Sequence, residues 1–584
     1  MKERMKFSYF FFILIFASSF NLILSQKNNF SHRDWLRKSA NSLAEVCAKA
    51  GCVRGKVESG RVKPYEAFYS IPYAEPPVGK LRFENPVPKS GWSGYWDATF
   101  FRGVCLQDHN IYPDPIRGSE DCLYLNVYRP VYRKKGVKMP VMVFIHGGSW
   151  LDFSSSPTQF GPEYLMDNGE VILVTLNYRL GLFGLLCSGD EAVKGNFAFK
   201  DQQLAMKWIV DNIEYFGGDA ESITLIGQSA GAASVHLHMM NPTSQALFHR
   251  AVLMSGTAIS PWNYLKDFKT QFRQAAQFVG LADWETATTF ELAAQLKEVD
   301  ALTFVEIINR FYLFVLTPPN PLGFCIEGDW EDAFLQENPR ILWAEGKYFP
   351  KPILIGTTSN EGLLAAVVTR NETFLTIFNE NFYNFLPVVF SMYPRYVTDV
   401  VNYYLGGQDF IDSTNEGQVF KMATDRLFVY PMITLVRQFL ETADVQEDPI
   451  YIYEFAFKSA YTFLKYFSGQ DINLGVCHMD DVFYLFTMSD FIPIFNTTSP
   501  EGRMVDTYVR TMVNFATRGE VKDWRRYRPC TASTSTPFCD RQIFYRYTEL
   551  DPNQVMVSVS NKIDEGMVKL WNRIDNGINA ITED

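Results

Sequence analysis

The sequence predicts an α/β protein with a large, mostly parallel central sheet flanked by helices. Short apolar runs recur at 141–145 (VMVFI), 171–176 (VILVTL), 223–226 (ITLI), 251–254 (AVLM) and 353–355 (ILI), each ending in turn residues. Runs of this length, without polar alternation, suit strands buried on both faces. Between them, 199–216 (FKDQQLAMKWIVDNIEYF) places apolar residues three and four apart and stops at Gly217-Gly218, and 232–240 follows ITLI directly as a second helical stretch. Strand–helix alternation is the pattern of a doubly wound sheet, whose ligands bind beyond the carboxyl ends of the strands.

The rest of the chain bounds the organisation. Its 584 residues are 47% hydrophobic and show no repeat or low-complexity linker, so one large domain can bury its own core. Residues 260–340 and 370–470 are irregular, helix-leaning and rich in Phe and Tyr. They read as helical insertions over an active site or as ordinary core. The net charge is −11, with no Lys/Arg-rich stretch. Nucleic acid is therefore not an expected partner, because its binding rests on basic patches that neutralise phosphates.

The first residues read as an export signal. Lys2, Arg4 and Lys6 precede an apolar run over 7–24, followed by polar Gln26-Lys27-Asn28. This pattern assigns 1–25 to a secretory signal peptide and 26–584 to the mature domain. An uncleaved anchor is the alternative, since the run approaches the lower length of a membrane span. Residues 571–584 are polar, so no stable span is expected after cleavage, and the location is extracellular. Secretion makes disulfides plausible. Of nine cysteines, three pairs are close in sequence: Cys47 with Cys52, Cys105 with Cys122, and Cys530 with Cys539. Cys105–Cys122 is favoured, its closed loop being worth roughly 3 kcal/mol. Cys187, Cys325 and Cys477 are left as buried thiols. Asn29-Phe-Ser, Asn371-Glu-Thr and Asn496-Thr-Thr are sequons for glycosylation.

The chemistry is concentrated in four places. Gly227-Gln228-Ser229-Ala230-Gly231 lies between a strand and a helix, the context in which G-x-S-x-G lifts a nucleophilic serine clear of a sheet. The helix that follows points its N-terminus at developing negative charge. A hydroxyl needs a base near neutral pH, and in this fold the order along the chain is serine, acid, histidine. Of seven histidines, His32, His109 and His146 precede Ser229. His236, His238 and His249 follow it too closely to admit an acid-bearing strand. His478 remains as the base. Glu361 sits just past the ILI strand, but many carboxylates fall in the interval, and position alone leaves the acid open. Finally, His146-Gly147-Gly148-Ser149-Trp150 after VMVFI is a turn able to aim N–H groups at an oxyanion, together with the N–H of Ala230.

With these motifs in place, the chain resembles the type-B carboxylesterase/cholinesterase family, of α/β-hydrolase fold. The resemblance runs through Ile71-Pro72-Tyr73-Ala74-Glu75-Pro76-Pro77, Ser119-Glu120-Asp121-Cys122-Leu123, Asn177-Tyr178-Arg179, Phe216-Gly217-Gly218-Asp219 and Gly475-x-x-His478. It implies Glu361 as the triad acid and Gly148, Ser149 and Ala230 as oxyanion donors. It also implies Cys105–Cys122 as the first disulfide loop, Glu120 with Arg179 as a buried ion pair, and Trp150 and Trp262 on the acyl side. The departures are Ser149 for the third glycine, Phe153 where glycine is frequent, Gln228 where cholinesterases carry Glu, and no Trp between Cys105 and Cys122. Without that ring face, a quaternary ammonium ester is a poor fit. The expected partner is a small-molecule ester, uncharged and apolar, with no cofactor and no metal. A narrower resemblance, to the juvenile hormone esterases, rests on GQSAG and Gly475-x-x-His478-x-x-Asp481, most of which other esterases share. The competing class is an adhesion or binding ectodomain that kept the fold and lost catalysis, but all three triad positions are filled here.

Overall fold

The computed structural model describes residues 43–579, apart from 109–115, 264–266, 316–318, 444–446, 523, 525, 527–543, 552–553 and 561–562. Residues 1–25, read from the sequence as a signal peptide, and the Asn29 sequon lie outside the described residues.

One sheet organises the described chain. Its strands are β1 (Leu43–Ala48), β2 (Gly51–Ser59), β3 (Pro64–Pro72), β4 (Tyr95–Asp97), β5 (Tyr124–Pro130), β6 (Met139–Ile145), β7 (Ile172–Leu176), β8 (Gly218–Gln228), β9 (Arg250–Met254), β10 (Ile353–Thr358), β11 (Ile450–Phe455), β12 (Phe544–Asp551) and β13 (Gln554–Ser560). The order is β1-β2-β3-β5-β7-β6-β8-β9-β10-β11-β12-β13, with β4 beside β2. From β7 to β12 every pairing is parallel. The flanking pairings are antiparallel, apart from β4, which runs parallel to β2. All five expected strands are present. Strands β11 and β12 of the parallel block were missed, β11 falling inside the stretch read as helix-leaning and rich in Phe and Tyr.

The apolar runs have a simple cause. Val141, Val143 and Ile145 enter one core, while Met142 and Phe144 enter the other. Leu225 and Ile226 divide in the same way, as do Ala251 and Val252. A strand that feeds two cores has no polar side, and each fully buried side chain contributes about 1.5–3 kcal/mol. Helix α1 (Phe197–Asn212) and helix α2 (Ala230–Met240) cover one face, and α3 (Pro500–Arg518) covers the other. The stretches 260–340 and 370–470 contain helices Phe268–Phe278, Thr289–Glu298, Ala301–Glu306, Glu372–Glu380, Phe382–Val389, Val397–Leu405, Glu416–Thr424 and Tyr430–Thr442. They supply core residues and also line a cavity at the carboxyl end of the sheet.

The cysteines only partly follow the expected pairing. Cys47–Cys52 and Cys105–Cys122 are disulfides. Cys187 and Cys325 are a correction: they are not thiols but are joined in a third bridge. Their separation of 138 residues hid the pair, since only sequence neighbours were matched. The expected bridge between Cys530 and Cys539 is not among these three. Both Cys530 and Cys539 fall in 527–543, outside the described residues, so their pairing stays an expectation from spacing. Cys477 is the free, buried cysteine among those described.

A second correction concerns Glu120 and Arg179, which do not pair with each other. Glu120 receives Arg82 on both oxygens, at 2.7 and 2.6 Å. Arg179 instead forks onto Asp201 at 2.8 and 2.7 Å. Each guanidinium found a carboxylate able to accept both of its arms.

The Arg179–Asp201 pair is almost wholly buried, at 3% and 0% side-chain exposure. Removing one charge strands the other in low dielectric, at a cost of about 3–5 kcal/mol. Asp201→Asn should lower the urea midpoint by a corresponding amount, with no change in slope. An unchanged midpoint would show that the pair is not needed for stability.

Candidate active site

Every candidate residue lies beyond the carboxyl end of a parallel strand. Ser229 follows β8, Glu361 follows β10, and the His146–Trp150 turn follows β6. His478 stands on the long connection after β11. The sheet therefore brings residues from distant parts of the chain together along one edge.

Ser229 is held at φ 55°, ψ −120°, between β8 and α2. Its N–H donates to Met254 O at 2.8 Å, and its carbonyl accepts from Ala233 N at 3.0 Å. The flanking glycines are required by contact: a Cβ on Gly227 would stand 2.2 Å from Gly231 O, and one on Gly231 would stand 2.1 Å from Ile145 O. The His146 turn lies directly over the serine, since a Cβ on Gly147 would be 3.1 Å from Ser229 Cβ. Ser149, Trp150 and Phe153 all have φ between 55° and 68°. Such left-handed non-glycine residues cost roughly 1–3 kcal/mol each and cluster at functional sites. Gly181 N–H to Trp150 O, at 2.7 Å, pins the turn.

Glu361 is fully buried. Its Oε2 faces His478 Nδ1 at 2.5 Å. Its Oε1 accepts from Ser255 Oγ at 2.5 Å and from Thr358 N at 2.7 Å. With Nδ1–H given to Glu361, the neutral imidazole presents Nε2 as an acceptor. The partner at Nε2 is the Gln228 amide, at 3.2 Å. Gln228 is the residue before Ser229, and both Ser229 and His478 line one cavity. The arrangement can carry a serine hydroxyl, a base and an orienting carboxylate in one chain of proton transfer.

The other described histidines on this side of the chain are excluded by environment. Burial lowers His146 to about 4 and both His236 and His238 to about 3. His146 stacks on Tyr178 at 4.4 Å and props its own turn. His236 receives Ala258 N, and His238 contacts Gln202 and Ser244.

Sequence reasoning missed three contributors, Ser255, Asp480 and Phe428. Ser255 fixes Glu361, and nothing in Met254-Ser255-Gly256 announces it. Asp480 accepts Phe463 N and Cys477 N, each at 2.7 Å, and so shapes the loop that carries His478. Phe428 packs on the His478 ring at 4.8 Å. It belongs to a π-helical turn, Asp425–Val429, of the kind found at functional sites. Asp481, the last residue of the Gly475-x-x-His478-x-x-Asp481 pattern, is buried beside the pair, with the hydroxyls of Tyr508 and Tyr453 at 3.0 and 3.3 Å from its Oδ2.

The cavity holds about 470 Å³, within the range of small-molecule sites. Gly148, Ser149, Ser229, Trp262 and His478 line it. Trp150 does not. It is completely buried behind the wall, donating to Ser234 Oγ at 3.0 Å and packing on Trp262 at 6.3 Å. Asp152, also in the wall, is pushed up to about 8 by burial, with Arg117 opposing the shift and Asp108 adding to it. At neutral pH this carboxyl is mostly uncharged.

Asp481 is raised to about 7, by burial first and by the Glu361 charge second, against the pull of Tyr508, His478 and Tyr453. Between its ordinary value near 3.9 and about 7, the folded protein holds a proton that the unfolded chain has released. Stability therefore falls as pH rises through that window and is flat above it. Asp481→Asn should flatten the decline, so that its urea midpoint changes less than wild type between pH 5 and 7.5. Parallel pH curves for the two proteins would contradict the assignment.

The carboxylesterase family model matches residues 42–565. Among relatives, the juvenile hormone esterase of Tribolium castaneum is 35% identical over 466 residues, spanning 76% of this chain and 78% of that protein. Venom carboxylesterase-6 of Apis mellifera is 31% identical over 490 residues, covering 81% and 86%. Esterase E4 of Myzus persicae is 30% identical over 539 residues, covering 89% and 93%. The crystal structure of Manduca sexta juvenile hormone esterase, with OTFP covalently attached, superposes with a TM-score of 0.77 at 26% identity, covering 92% of this chain and all of that one. On the family match and the shared fold together, this chain belongs to the carboxylesterase family and is a carboxylic ester hydrolase.

Proposed function

We propose that the protein is a secreted serine esterase of uncharged, apolar carboxylic esters, acting through an acyl-enzyme on Ser229. The observation that carries the reading is the Glu361–His478 contact of 2.5 Å at the wall of the same cavity that Ser229 lines. In this mechanism His478 Nε2 takes the Ser229 proton as Oγ adds to the ester carbonyl. Glu361 holds the imidazolium that forms. The N–H groups of Gly148, Ser149 and Ala230 receive the oxyanion, each donor being worth about 2.7–4 kcal/mol. The proton returns to the departing alcohol, and water, activated by the same base, releases the acid. Gln228 occupies Nε2 in the resting state, so its amide turns aside before the serine proton can move.

Two features near the serine support the neutral-substrate reading. Gln228 stands where a carboxylate would attract a cation, and burial keeps Asp152 mostly protonated at neutral pH. The narrower reading, a juvenile hormone esterase, is favoured by the two relatives of that name. Export fits the exposed Asn371 and Asn496 sequons and the three cystine bridges.

Ser229→Ala and His478→Gln should each lower kcat/KM for a neutral aryl ester by at least about 10⁴-fold, and the double variant should lose little more. Losses that multiply would mean that the two residues do not act as one unit. Near-native activity in Ser229→Ala would refute the nucleophile.

A further inference from the structure

The cavity is lined by two unlike sets of side chains. From Gly362 to Phe428 the lining is hydrocarbon except for Thr369, whose hydroxyl is taken by Glu416 at 2.7 Å. The Cys105–Cys122 loop and the stretch 304–320 instead contribute Gln107, Asp108, Asn309, Tyr312 and Asn320.

Most of these polar groups are occupied. Asn309 hydrogen-bonds to Asp108. Gln107 spends both amide hydrogens, on Cys105 O and Phe153 O, each at 2.9 Å, which leaves its Oε1 without a partner among the described residues. Asn320 differs from the others. Only 7% of it is exposed, yet neither Oδ1 nor Nδ2 has a partner among the described residues. Its backbone is not free to adapt. Pro319 and Pro321 flank it, each restricting the chain. Pro321 O accepts Gln271 Nε2 at 2.7 Å, and the Cys187–Cys325 bridge ties the segment down shortly after.

Burying an amide with both ends open is costly, and an apolar residue of the same shape would avoid the cost. A group that donates and accepts at once completes it, namely a hydroxyl or a carboxamide. The open acceptor of Gln107 likewise asks for a donor, which an ether or a ketone lacks. Among hydrocarbon neighbours, the hydroxyl is the smaller group to strip of water.

We infer that Asn320 is a specificity-determining residue that binds a hydroxyl carried by the substrate away from the ester bond. The preferred substrates are then apolar esters bearing one alcohol group, not pure hydrocarbon esters. This deepens the esterase reading and rests on it.

The test is a panel of neutral esters with a hydroxyl walked along the acyl or the alcohol chain, each paired with its methyl isostere. Wild type should show one position where the hydroxyl ester exceeds its partner in kcat/KM by about tenfold or more. Asn320→Leu should reverse that preference. Asn320→Ala, which adds no bulk, should abolish it. A second arm needs no turnover: calorimetric binding of the favoured pair to Ser229→Ala should keep the same order. The inference is overturned if every hydroxyl ester is the poorer substrate and Asn320→Leu leaves the ratios unchanged, the result expected if water alone satisfies the amide. Absence of hydrolysis with a retained hydroxyl preference in binding would sink the esterase reading and leave this one standing.

Discussion

A serine at φ 55°, ψ −120° is a conformation that an L-residue adopts only under constraint, at a cost of about 1–3 kcal/mol. The rest of the site depends on that constraint being met. The second half of strand β8, residues 223–228, arrives buried within a parallel sheet, and α2 departs at once, packed into one of the two cores. Between them there is room for a single residue, and only because Gly227 and Gly231 let their backbones touch. The strain is offset by the sheet, in which β8 is paired in parallel on both sides, with β6 and with β9.

The second constraint is convergence. Glu361 and His478 are 117 positions apart and have no local reason to meet. Strands β10 and β11 pair in parallel, Thr358 opposite Phe455, so the connections after both leave from the same edge. Ser255, at the end of β9, closes the set by donating to the carboxylate. The helical stretches after β9 and β10 complete the enclosure. Through the π turn they set Phe428 against the imidazole, and Leu427 O receives Trp262 Nε1 at 3.0 Å.

Much of this was legible in the sequence, for identifiable reasons. Five of the seven parallel strands announced themselves because burial on both faces leaves few polar residues in a run. Ser229 and the glycine turn were legible because their conformations demand particular residue types. His478 emerged because the chain has few histidines. What escaped reading depends on long-range pairing. Glu120 and Arg179 were matched to each other, when Arg82 and Asp201 were the partners. The Cys187–Cys325 bridge closes a long loop with no local sign, whereas proximity in sequence pointed to Cys105–Cys122 and left the pairing of Cys47 with Cys52 open. Strand β11 hid among tyrosines that serve the second core. The hydrogen bond from Gln228 to His478 is a side-chain orientation, which no spacing in the sequence encodes.

The central claim is that Ser229 becomes a nucleophile through His478. Covalent trapping tests it most directly. The purified protein would be treated with a fluorophosphonate, digested, and the labelled peptide sequenced by mass spectrometry, with His478→Gln in parallel. The account predicts one label, on the peptide containing Ser229, formed far more slowly in the variant. A label on a different serine, or equal rates of labelling in the two proteins, would contradict it.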